Sequence, residues 1–228
     1  FLANVGTIIA DRILTAKTTG KKKIVHDKYT PARNAGKSKR IYTYLMAAEG
    51  DSAITLLRDG ITQNKKKMPR GGPSVDWCGI ISLGGVIMNA VKNVTTIETG
   101  DGKTVRIRST KLEECNRINA LADAFGITRD FTYETKAERD TLNYGMLLLC
   151  VDQDLDGTGK IAPLVLAWIH LFWPNLIKYG MVGRLMTPLI RARPLKKSDG
   201  DAVEFYYQSA LDDWLAADET RAKRYDIK

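Results

Sequence analysis

Met146-Leu147-Leu148-Leu149-Cys150-Val151, followed at once by Asp152-Gln153-Asp154-Leu155-Asp156-Gly157, decides the fold class. An unbroken apolar run that stops on carboxylates reads as a strand buried on both faces of a parallel sheet, with a polar loop at its carboxyl end. Beyond the loop, Ile161, Leu164, Val165, Trp168 and Ile169 recur at the spacing of a buried helix face, with Pro163 tolerable in the first turn. Upstream, Ile41 to Ala47 is β-rich and predicts a second strand. After it, Glu49-Gly50-Asp51-Ser52 makes a tight turn into a helix over 53–60, capped at Asp51 or Ser52 and closed by Gly60. Leu185 to Ala192 predicts another strand, Glu204 to Gln208 a short one, and Leu211 to Ala217 a helix. Strands alternating with helices imply an α/β domain with a largely parallel sheet flanked by helices.

The remaining segments organise around that unit. Phe1 to about Ala16 carries Leu2, Val5, Ile8, Ile9 and Ile13 at helical spacing, and residues 17–40 read as a basic connector. Residues 41–195 would form the main domain, with an insertion at about 91–130. That insertion begins with a hairpin, Asn93 to Glu98 and Lys103 to Arg108 around Thr99-Gly100-Asp101-Gly102. Its second part is a helix opened by a Thr110/Glu113 capping box and carrying Leu112, Ile118, Leu121, Ala122 and Phe125 on one side. Residues 196–228 read as a C-terminal extension. Because residue 1 is Phe and the end has no stop signal, a piece of a longer polypeptide is expected.

Composition narrows the class. Of 228 residues 44% are hydrophobic, enough for a folded core, and the net charge of +9 suits a polyanion, an acidic protein surface or an anionic membrane. No apolar run approaches the roughly 20 residues that span a bilayer, and no secretory signal is visible, so an intracellular protein is expected, in cytoplasm or nucleoid. Cys78, Cys115 and Cys150 are odd in number and widely spaced, unlike a disulfide framework or zinc site, and read as buried small residues.

Chemistry concentrates on acids. Sites in open parallel sheets form beyond the carboxyl ends of strands. Glu49 follows one predicted strand and Asp152, Asp154 and Asp156 follow another, so adjacent strands would gather four carboxylates that repel unless a cation joins them. With oxygen donors only, Mg²⁺ is favoured, one or two ions, with Mn²⁺ as an alternative. The blander reading is a polar loop plus a helix-start acid. The Asp-x-Asp-x-Asp-Gly opening also matches a calcium loop, but the twelfth position is Pro163 where a bidentate Glu is needed.

Ala48-Glu49-Gly50-Asp51-Ser52-Ala53 together with Asp152-Gln153-Asp154-Leu155-Asp156-Gly157 resembles the paired signature of the TOPRIM domain of type IIA DNA topoisomerases. Tyr29 to Gly36, Trp173-Pro174-Asn175-Leu176 and Thr187-Pro188 extend the resemblance over most of the chain. Asp156-Gly157-Thr158-Gly159-Lys160-Ile161 looks closer to T-even phage enzymes than to the cellular form, which has His at the place of Gly159, so a phage or viral source, and host cytoplasm, would follow. The family's Pro-Leu-Arg-Gly-Lys segment aligns with Ser82-Leu83-Gly84-Gly85-Val86, where Arg and Lys have become Gly84 and Val86. Lys65, Lys66, Lys67, Arg70 or Lys160 would then supply phosphate contacts, unless they are only solvated charge.

The resemblance implies ATP-coupled cleavage and religation of double-stranded DNA through a 5′-phosphotyrosyl link. Glu49, Asp152 and Asp154 would be the catalytic metal ligands and Asp156 a further acidic contributor, with Glu49 also a candidate general acid or base. The attacking tyrosine would come from a winged-helix breakage-reunion region, and ATP would be bound by another domain or subunit, in a two-fold assembly away from any membrane. None of the nine tyrosines is singled out, and Tyr42, Tyr44, Tyr206 and Tyr207 read as strand packing. Two other classes stay open: a TOPRIM nuclease or primase acting without a partner tyrosine, and a noncatalytic DNA-binding module.

Overall fold

The computed structural model describes residues 28–63, 70, 72–98, 100, 104–151 and 157–228; the helix expected at 1–16 and the run Lys21-Lys22-Lys23 lie outside them. The strands are β1 (Tyr29–Thr30), β2 (Tyr44–Ala48), β3 (Cys78–Ser82), β4 (Val94–Glu98), β5 (Thr104–Arg108), β6 (Met146–Cys150), β7 (Val182–Arg184), β8 (Ile190–Pro194), β9 (Val203–Phe205) and β10 (Tyr225–Ile227). The longer helices are α1 (Asp51–Thr62), α2 (Asn116–Phe125), α3 (Ala162–Phe172), α4 (Pro174–Lys178) and α5 (Gln208–Ala216).

The main sheet has the order β1-β3-β2-β6-β7. β2 runs parallel to both β3 and β6, β6 runs parallel to β7, and the edge strand β1 is antiparallel. Side chains alternate across each strand, so the apolar runs feed two cores. Leu45, Ala47, Leu147 and Leu149 pack beneath α2 and α3 with Phe125, Trp168 and Trp173, whereas Met46, Ala48 and Cys150 meet Ile54 and Ile61 of α1. The α/β reading with helices flanking a parallel sheet therefore holds, and continuous hydrophobicity in 146–151 reflects two covered faces.

Residues 28–40 do not behave as a free connector. Tyr29 pairs with Ile81, its hydroxyl lies 2.8 Å from the buried Tyr144 hydroxyl, and the Ala32 N–H donates to that same Tyr144 oxygen. Arg40 is buried and ion-paired to Asp140 at 2.6 Å. The first strand starts later than expected, at Tyr44, because Arg40–Tyr42 forms a 3-10 turn that leaves Ile41 exposed. α1 is N-capped by Gly50 without a side-chain bond and runs through Gly60 to Thr62, so neither Asp51 nor Ser52 is the cap and Gly60 does not end the helix.

The hairpin forms as expected, β4 pairing with β5, and Arg108 lies 4.1 Å from the centroid of Phe172. Burial, and then nearby Arg129, lower the Arg108 guanidinium to about 10, so it stays charged at neutral pH. The following helix differs from expectation: Ser109, not Thr110, is the cap, its hydroxyl accepting from Leu112 N–H at 3.2 Å, and that turn stops at Glu113. α2 is a second helix, closed by Gly126 at φ 87, and its apolar side belongs to the main core. A complete capping box occurs instead at Thr135 and Glu138, where none was expected.

Of the strand expected at 185–192 only Ile190–Ala192 forms, as the start of β8, and a strand that was not expected, β7, ends before it at Arg184. β7 completes the main sheet, and β8 starts at Ile190 in a separate antiparallel sheet of order β10-β8-β9. Thr187-Pro188 separates them, since proline lacks the N–H that a ladder needs. On this second sheet α5 packs its Leu211 against Ala192 and Phe205. The tyrosine expectations need correction too: Tyr44 is half-buried in β2, but Tyr42, Tyr206 and Tyr207 are exposed outside any strand.

Candidate functional site

The candidate site starts from strand register. Ala48 pairs with both Ser82 and Cys150, so Glu49 leaves the sheet level with Leu83 on one side and Val151 on the other. Leu83 N–H donates to the Ala48 carbonyl and Gly85 N–H to the Glu49 carbonyl, both at 2.8 Å, which fixes the backbone of the acid. Glu49 is half-buried and immediately precedes Gly50, the cap of α1, where the helix dipole favours a carboxylate. On the far side of β6, Leu185 N–H donates to Leu149, placing Arg184 at the same carboxyl edge.

Asp152, Asp154 and Asp156, like Lys65, Lys66 and Lys67, lie outside the described residues, although Asp152 follows Val151 directly in the chain. Among the described residues there is no cluster of three His, Cys, Asp or Glu side chains suited to a metal. Asp51 is occupied differently, with the Lys28 ammonium 3.0 Å from its carboxylate. Lys160 is exposed in the π-helical turn Gly157–Ile161 that enters α3. Arg70 is not brought to Glu49: its guanidinium sits 5.3 Å from the ring of Tyr42, which precedes the amino end of β2.

Thiols do not contribute ligands at this edge. Cys150 is buried beneath α1, and burial, aided by Cys78, pushes its thiol up to about 12 from about 9. It stays protonated at neutral pH, and its side chain packs into the core with Ile54 and Ile61 of α1. The same shift has a stability consequence. Above the unfolded pKa the unfolded chain loses this proton while the native chain keeps it, so stability is full below about pH 9 and falls as pH rises toward 12. Urea unfolding at pH 8.5 and 10.5 checks this: the midpoint should drop, and drop less in Cys150→Ala.

Two cationic residues at this edge escaped the sequence reading. Neither Arg184 nor Arg117 was singled out from the sequence. Arg117 Nη1 donates to the Val86 carbonyl at 3.1 Å, in the loop after β3. No local pattern announces either placement.

No family model matches the chain. It is similar over its whole length to DNA topoisomerase 2 of African swine fever virus, 46% identical over 230 residues, covering 19% of that protein. DNA topoisomerase 2 of Acanthamoeba polyphaga mimivirus is 27% identical over 87% of the chain and 14% of its own length. The Caenorhabditis elegans enzyme of the same name is 29% identical over 82% of the chain and 10% of its own length. The chain thus spans about a fifth of the length of the African swine fever virus relative. A solved structure of the Plasmodium falciparum topoisomerase II DNA-binding, cleavage and re-ligation domain superposes with TM-score 0.64 at 24% identity, over 91% of this chain and 24% of that one. Among the described residues no helix is long and apolar enough to cross a membrane.

Proposed function

Because the chain is homologous over its whole length to one segment of DNA topoisomerase 2, we propose that it is the metal-binding, TOPRIM part of a type II DNA topoisomerase that cleaves and rejoins double-stranded DNA. The observation that carries this reading is the register that sets Glu49 level with Val151, one residue ahead of Asp152, at the carboxyl edge of a parallel sheet. Glu49, Asp152 and Asp154, with Asp156 contributing, would hold Mg²⁺; their all-oxygen chemistry fits a hard cation. When bound, that ion would supply positive charge to the scissile phosphate and the departing 3′ oxygen.

This chain's own groups do the rest of its share. Glu49, fixed through its carbonyl to Gly85, holds its carboxylate at the site and carries a proton to or from the 3′ oxygen. The attacking tyrosine comes from a separate breakage-reunion region. Tyr144 is unsuited to that role, since burial, and then Tyr29 beside it, drive its hydroxyl well above the usual tyrosine range and away from the nucleophilic phenolate. ATP binds elsewhere in the assembly.

The test is a denaturant quench of the complete protein acting on duplex DNA with and without Mg²⁺. The reading expects a covalent protein–DNA adduct that depends on Mg²⁺. Cleavage with free DNA ends would point to a nuclease instead, and tight binding with no cleavage to a noncatalytic module.

A further inference from the structure

The loop after β3 is built around side chains that are absent. Gly84 has φ +66 and Gly85 φ +94, left-handed conformations that side-chain-bearing residues rarely adopt. A Cβ on Gly84 would stand 3.4 Å from Nε and 3.6 Å from Cζ of Arg117, so the guanidinium occupies the space over this glycine. Arg117 Nη1 is tied to the Val86 carbonyl at 3.1 Å, and the next backbone N–H, that of Gly85, holds the Glu49 carbonyl at 2.8 Å. The residue is nonetheless exposed. One N–H of a five-donor fork anchors the side chain, which leaves a planar cation on the surface over the loop whose Gly85 N–H holds the Glu49 carbonyl.

Arg117 also stands in the first turn of α2, where a cation opposes the helix dipole. The placement adds positive potential at that end rather than relieving it. A loop stripped of its own cations, with an arginine from another element laid over it, is suited to a phosphodiester.

We propose that Arg117, laid from α2 over the Gly84-Gly85 loop, binds a DNA backbone phosphate next to Glu49. The assignment rests on the functional reading above. Because the contact is to the backbone, it positions the strand and carries no sequence preference.

The experiment measures duplex DNA affinity of the complete protein across a salt series for wild type, Arg117→Gln and Arg117→Lys, with thermal unfolding as the check on folding. Glutamine keeps an N–H donor for the Val86 carbonyl and loses the charge; lysine keeps the charge. The expected result is that Arg117→Gln lowers the slope of log K against log salt by about 0.9 for each Arg117 engaged. Its Kd should rise roughly tenfold, as loss of one charge-assisted contact does, while Arg117→Lys keeps the wild-type slope. Wild-type slopes for both variants would overturn the proposal and leave Arg117 as a brace for the loop. The slope is read on binding alone, so it reports on Arg117 separately from the adduct assay: an adduct with an unchanged slope sinks only this assignment.

Discussion

Glu49→Ala in the complete protein should lower Mg²⁺-dependent DNA cleavage by about 10²–10³-fold, the loss typical when one preorganised charge-stabilising group leaves a transition state. The expectation follows from position. Glu49 sits where β2 ends, held by its own carbonyl to Gly85 N–H and by the Ala48 carbonyl to Leu83 N–H. These are backbone bonds, so alanine keeps them and the loop stays in place. On the proposed reading, what disappears is one hard oxygen donor and one proton carrier. Part of the loss should be recovered at higher Mg²⁺, because removing a ligand weakens the site for the ion as well as the chemistry. Asp152→Ala should behave alike. A Mg²⁺ titration of cleavage, run beside thermal unfolding, reads both effects. Wild-type rates at the wild-type Mg²⁺ midpoint in both variants would remove the carboxylates from the mechanism.

The second large effect is on the fold and has a built-in contrast of sign. Gly145→Ala should destabilise the protein by about 3 kcal/mol, the upper part of the range for overpacking. A Cβ there would lie 2.2 Å from the Ile41 carbonyl oxygen and 2.6 Å from its carbon, both backbone atoms that a rotamer change cannot move. Gly145 N–H and Met146 N–H both donate to the Thr43 carbonyl, so the crowded point is also where β6 enters alongside β2. Pushing the strands apart here disturbs the register that sets Glu49 level with Val151. Gly60→Ala should do the opposite. Gly60 lies inside α1 with nothing within 4 Å of its would-be Cβ, so alanine should stabilise by about 0.5–1 kcal/mol through helix propensity. Urea midpoints of the two variants moving in the same direction would contradict this account of the close approach.

The mistaken boundaries share one cause. Ile41 and Tyr42 are β-formers, yet they lie in a turn because Thr43 accepts the N–H groups of Gly145 and Met146 and Arg40 is drawn inward to Asp140. Residues 185–192 look uniformly strand-like around Thr187-Pro188, but the ladder there starts only at Ile190, in β8, whose partners are β9 and β10. Tyr206 and Tyr207 have strand propensity and no neighbouring strand to use it. In each case propensity describes what a residue tolerates, and pairing elsewhere in the chain decides what it does.

By itself the sequence determined the elements whose cause is local. The apolar run 146–151, the hairpin around Gly100, the amphipathic stripe of 161–169 and the two acidic motifs need only neighbours in the chain, and their periodicity or turn chemistry is legible without coordinates. Tertiary structure alone decided which strands are adjacent. It set Glu49 level with Val151, docked residues 28–40 through Tyr29, Tyr144 and Arg40, and laid Arg117 over Gly84. Those contacts join residues tens of positions apart, and their formation depends on burying surface from several elements at once, so no window of sequence carries a period that encodes them.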